Sequence, residues 1–192
     1  MGVYLVDVDA QEWFSEDTGE GGMGAIAKGL DAELARRGLP PYTAVPARDT
    51  APGFEEKLSP SMQGFDALCR AHLTPEEREV LYGWSVLVPF PLDEAIRLPV
   101  GSAYTDETVI VGAPQVLTLA ERLAAALELP AETPEATENL ALTFWFLEGE
   151  AEELAAVSPG PWAQDLDTAF YVALYLRAAQ HALRQGRPLT FS

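Results

Sequence analysis

The chain opens with Val3-Tyr4-Leu5-Val6-Asp7-Val8, a β-branched and aromatic run that predicts a first strand. The apolar period then changes. Ile26, Leu30 and Leu34 recur every four residues within 25–37, and Gly38 stands where a helix-terminating glycine belongs, so a helix is expected there. Residues 40–60 are rich in Pro, Ala and Thr without periodicity and read as a long irregular loop. A helix carrying Met62, Phe65, Leu68, Cys69 and His72 follows. Thr74-Pro75-Glu76-Glu77 is a capping box with proline at the first helical position, and it starts a helix that ends near Gly83.

Residues 84–90 predict a strand that Pro89 places at an edge or an end, and Thr108-Val109-Ile110-Val111 predicts a third. Between them, 91–107 is turn-rich. Pro114 opens a helix running to 128, with Val116, Leu119, Ala120, Leu123 and Leu127 on its apolar face. Thr133-Pro134-Glu135 signals another, carrying Leu140, Phe144, Trp145 and Leu147, with a break at Gly149 before 150–157. The last helix, 163–185, is apolar on nearly every face through Ala169-Phe170-Tyr171-Val172-Ala173-Leu174-Tyr175-Leu176 and should be the central element of the core. Gly186 and Pro188 close it, and the Leu189-Thr190-Phe191 tail is expected to dock as a short strand.

These elements give a mostly helical α+β fold: one domain over 1–192, with about six helices around a three- or four-stranded sheet. Strands do not alternate strictly with helices, which argues against a doubly wound parallel sheet.

Composition fits a globular chain, with 48% hydrophobic and 22% charged residues, but the charge is lopsided: 30 acids against 12 bases, a net −18. Such a surface repels phosphate backbones and anionic lipid, so neither nucleic acid nor a membrane is an expected partner. The imbalance is confined to two blocks. Six acids lie between Asp7 and Glu20 without a base, and ten lie between Arg122 and Arg177, again without a base. Together they carry −16 of the −18, and a cationic helix end with Arg177, His181, Arg184 and Arg187 begins where the second block stops.

Cys69 is the single cysteine, which fits a reducing compartment. The N-terminal run lacks a basic segment and does not read as a signal peptide, and no apolar stretch approaches bilayer length; a cytoplasmic location is expected.

Candidate chemistry is sparse. Asp7 and Asp9, two apart at a strand end, would leave the same face and could begin a Mg²⁺ or Ca²⁺ site, although a solvated acidic strand end is the better explanation. No other cofactor is evident. The glycine run at 19–24 formally contains a dinucleotide fingerprint, but it follows its strand too late and is crowded by Glu16, Asp17 and Glu20. Tyr104 and Asp106 sit on a polar loop, and Asp165 opens the last helix, where a carboxylate suits the dipole. Arg177 and His181 share a helix face that could take an anion.

Two functional readings follow. The first is a non-catalytic binding protein, a monomer or homodimer, whose acidic face meets a basic protein partner by electrostatic steering. The second is a small-ligand-binding protein or enzyme whose polar pocket gathers Asp7, Asp9, Tyr104, Asp106, Asp165 and Arg177, with a divalent metal.

Overall fold

A computed structural model describes residues 2–16, 22–48 and 53–192. Along the chain, β1 (Val3–Asp7) is followed by α1 (Ala10–Trp13), α2 (Met23–Arg36) and β2 (Glu55–Leu58). Next come α3 (Gln63–His72), α4 (Pro75–Tyr82), β3 (Val86–Val88), β4 (Ile96–Leu98), β5 (Thr108–Gly112) and α5 (Ala113–Leu127). The chain ends with α6 (Ala141–Leu147), α7 (Glu150–Val157), a 3₁₀ turn (Pro161–Gln164), α8 (Leu166–Gln185) and β6 (Leu189–Phe191).

The strands form one mixed six-stranded sheet in the order β2-β1-β6-β3-β5-β4, in which the β3–β5 pair is parallel and the other pairs are antiparallel. Strand alternation divides its side chains between two apolar layers. Leu5, Leu87, Val111 and Leu189 join the core built with α3 to α8, whereas Val86, Val88 and Ile110 join Ile26, Leu30 and Leu34 of α2. Both faces of the sheet are therefore covered by helices. Among the described residues, no helix is long and apolar enough to cross a membrane.

The α+β class is as the hydropathy pattern predicts, but the strand and helix counts are not. Six strands replace three or four, and eight α-helices among the described residues replace six. β2 lies inside the segment read as an irregular loop. Its Glu55-Glu56-Lys57-Leu58 has no strand-like composition, and pairing with β1 supplies its register. β4 emerges from the turn-rich 91–107 segment as the antiparallel partner of β5. The helix expected from 133 begins at Ala141 instead, because Ala136 and Leu140 take left-handed conformations with φ of 52° and 61°. The Thr133 hydroxyl, which the capping signal would have used, is buried without a hydrogen-bond partner among the described residues.

Other local signals behave as read. Thr74 and Glu77 form the reciprocal capping box of α4. α8 is buried along Ala169 to Ala179, except for a half-buried Arg177, and packs chiefly on α5. An aromatic series runs through that core from Trp145 by Phe146, Phe170, Tyr171, Phe65, Tyr175 and Trp84 to Phe191, tying α6 to the final strand.

α3 approaches the start of α8 at Gly64, where an added Cβ would overlap Asp165 Oδ2 and Thr168 Oγ1. Gly64→Ala should cost about 1–3 kcal/mol despite its better helix propensity, read as a fall in Tm of several degrees. An unchanged or raised Tm would show that α8 can retreat from α3 freely.

Candidate functional site

The two blocks of acidic sequence meet different fates. In the first, Asp7 ends β1 with its side chain 2% exposed, and its Oδ2 accepts from Arg187 at 2.9 Å and lies 3.2 Å from His181 Nε2. Arg187 is fully buried and also donates to the Ala47 carbonyl, while Phe54 packs against the His181 ring. Arg48 donates to the Asp7 carbonyl at 3.1 Å, and its Nε lies 3.5 Å from Asp9 Oδ2. Burial by itself would raise the Asp7 pKa, but the hydrogen bonds from His181 and Arg187 outweigh it and hold the carboxyl below its usual 3.8.

Asp9 does not lie on the strand beside Asp7, as the two-residue spacing implied. It caps α1, accepting from the Glu12 amide at 3.0 Å. Both carboxylates thus face guanidinium groups, and no group of three or more His, Cys, Asp or Glu among the described residues could hold a metal ion. Residues 19–21 of the glycine run lie outside the described residues; Gly22 caps α2, whose first turn holds Met23 and Gly24.

The remaining candidates do not converge. Asp165 Oδ1 and Oδ2 accept from the Thr168 amide and hydroxyl, so this carboxylate caps α8. Arg177 donates to the carbonyls of Pro134 and Thr133, both at 2.8 Å, and to Gln180. Asp165, Arg177 and His181 are strung along α8, Asp165 about 24 Å from His181 at 1.5 Å per residue. Tyr104 and Asp106 occupy the exposed connection between β4 and β5, four strand positions or about 19 Å from β1. Of all the candidate site residues, Asp7 and His181, which the sequence assigned to different sites, are the pair that touches, and they do so out of solvent. Burial pushes the Cys69 thiol up to about 12, so it stays protonated at neutral pH and His72 beside it is exposed.

The second acidic block remains on the surface. Of its ten acids, nine are exposed and Asp167 is half-buried. Of the cations nearest in sequence, Arg177 is engaged on the Thr133 and Pro134 carbonyls and Arg122 on Glu77 at 2.8 Å, while Arg184 lies 3.9 Å from Glu135 of the block itself. Glu132, Glu148, Glu150, Glu152 and Glu153 take part in no ion pair or side-chain hydrogen bond among the described residues.

Local sequence explains this face. Gly149, with φ of 110°, breaks the chain between α6 and α7 and frees a new helix N-terminus, where Glu150, Glu152 and Glu153 suit the dipole. Ala151 is fully buried and seats α7 on the core. The spacing of Glu150, Glu153, Leu154 and Val157 then places two acids and two apolar side chains on one stripe of α7. That stripe, with Glu132 and Trp145, lines an open concavity of about 430 Å³. Phe144 and Leu147 on α6 are each 47% exposed, and Val157 is 80% exposed.

Counting acids along the chain locates the block but not the concavity. The break at Gly149 is legible in the sequence, but the Glu150, Glu153, Leu154 and Val157 stripe gains its meaning only from Glu132 and Trp145, which reach it from other segments. Comparison with protein-family models, curated proteins and solved structures finds no match for the chain.

Proposed function

We propose that the chain is a non-catalytic binding protein that engages a basic protein partner through the acidic face of α6 and α7. One observation carries this reading: five glutamates on and beside these helices have no cation among the described residues, while the arginines nearest in sequence are engaged by other groups. A fold that only required solubility would gain as much from interspersed signs of charge. A single-sign face instead raises the local concentration of an oppositely charged protein and orients its approach. The exposed Phe144, Leu147 and Val157 add apolar area that a docked partner would remove from water.

The same field disfavours nucleic acid, and it disfavours self-association through this face, because two copies would oppose like charges. A reducing, cytoplasmic setting suits the buried free thiol of Cys69.

End-labelled decalysine titrated with the full chain tests the reading. Binding should be measurable at about 20 mM NaCl and at least tenfold weaker at about 300 mM, where the Debye length shrinks to roughly 6 Å. A dissociation constant indifferent to salt, or no binding at low salt, would contradict it.

A further inference from the structure

Resting on that reading, we infer that the α7 concavity seats one lysine or arginine side chain projecting from the basic partner, with its aliphatic stem against Trp145, Leu154 and Val157 and its charged head among Glu132, Glu150 and Glu153. The lining has the two-part character of such a side chain, apolar along its length and cationic at its tip. The concavity, at about 430 Å³, falls within the roughly 300–1,000 Å³ of ordinary ligand sites. A neutral apolar ligand would gain nothing from three carboxylates. A bare metal ion would need ligands closer together than any group of acids among the described residues provides.

Trp145 is suited to the floor of this site. Its ring stacks on Trp162 at 6.1 Å and meets Phe146 edge-on at 4.7 Å, so its conformation is set before anything binds. Little ordering entropy would then be lost there, and tryptophan is the aromatic that best attracts a cation. Glu150 and Glu153 sit one helical turn apart on a helix anchored by buried Ala151, which fixes the carboxylates relative to the ring.

The test uses a labelled lysine-containing dodecapeptide and the same peptide with acetylated lysines, measured by anisotropy at low salt against the full chain. Two double variants are compared with the wild type: Glu150→Gln with Glu153→Gln inside the concavity, and Glu148→Gln just past α6 with Glu152→Gln on α7, both outside it. All four glutamates are exposed and without side-chain partners among the described residues, so both variants should melt like the wild type. Loss of about tenfold for the first pair, against less than about threefold for the second, and no binding of the acetylated peptide is the expected pattern. Equal losses for both pairs would overturn the seated side chain while leaving the wider acidic-face reading intact. Absence of binding to every form would remove both. Full competition by free spermidine at equal charge concentration would also overturn the inference, because the concavity would then take a soluble polyamine rather than a protein side chain.

Discussion

Replacing Asp7 by alanine is expected to destabilise the fold by about 3–5 kcal/mol, the usual cost of leaving a buried charge without its partner. Arg187 has no exposure at all, and Asp7 is its one carboxylate partner among the described residues, at 2.9 Å. The loss would be roughly a fifth or more of a typical domain's stability and should lower Tm by roughly 10 °C. The pair also closes the sheet, because Asp7 and Leu189 are register partners between β1 and β6. Removing both charges, as Asp7→Asn with Arg187→Gln, should cost clearly less than the sum of the single changes. Strict additivity would mean that the two charges stabilise separate things.

This cluster also sets a pH limit. The Asp7 carboxyl lies below its usual 3.8 in the folded chain, so its contribution is complete above that value and lost as pH falls through the folded pKa. The wild type should therefore lose Tm steeply below about pH 4, and Asp7→Asn should flatten that part of the profile. A profile unchanged by the substitution would assign acid sensitivity to other carboxylates.

The second large effect is expected at Glu56. This side chain is buried on β2, where its Oε1 accepts from the Leu142 amide and its Oε2 from the Thr143 amide and hydroxyl, at 2.8, 2.8 and 2.6 Å. It serves as the cap of α6 from a distant strand. Leu140, at the helix start, has no side chain able to accept those bonds and sits at a left-handed φ. Glu56→Ala strands two buried amides and should cost about 3 kcal/mol, with Tm falling by roughly 6–12 °C. Glu56→Gln retains one acceptor and should cost less.

Burial pushes the Glu56 carboxyl above its ordinary 4.5, only partly offset by these hydrogen bonds, so the folded state holds its proton more tightly than the unfolded chain. That contribution is present at low pH and lost as pH rises through the raised value, opposite in sign to Asp7. Because α6 carries Trp145, a chain with Glu56 replaced should also bind decalysine more weakly. Unaltered binding would show that the face tolerates a frayed α6.

The contrast between these sites explains what the sequence could and could not disclose. α2 and α5 were legible because each repeats its apolar residues at helical spacing, α4 because Thr74 opens a capping box, and α8 because it is apolar on nearly every face, while Gly38 and Gly186 mark ends in locally determined ways. β2 was not legible, since Glu55-Glu56-Lys57 becomes a strand only by lying against β1. Asp7 and Arg187 are 180 residues apart, and nothing local to Asp7 announces that a guanidinium will meet it. The cationic end of α8 looked like an anion site for the same reason: the Thr133 and Pro134 carbonyls that engage Arg177 reach it through a turn no spacing rule describes. The acidic face was half legible. Its charge and the break at Gly149 were readable, but its concavity required the inward seating of Ala151 and the approach of Glu132 and Trp145 from other segments.

The central claim is that a basic partner docks on α6 and α7, and amide chemical shifts of the full chain during titration with decalysine test it most directly. The account predicts that the largest changes fall on the Trp145 indole and on the amides of Glu150 to Val157, and that they vanish at high salt. Shifts spread evenly over all exposed acids, or centred on Asp9 and Glu12 beside β1, would contradict it.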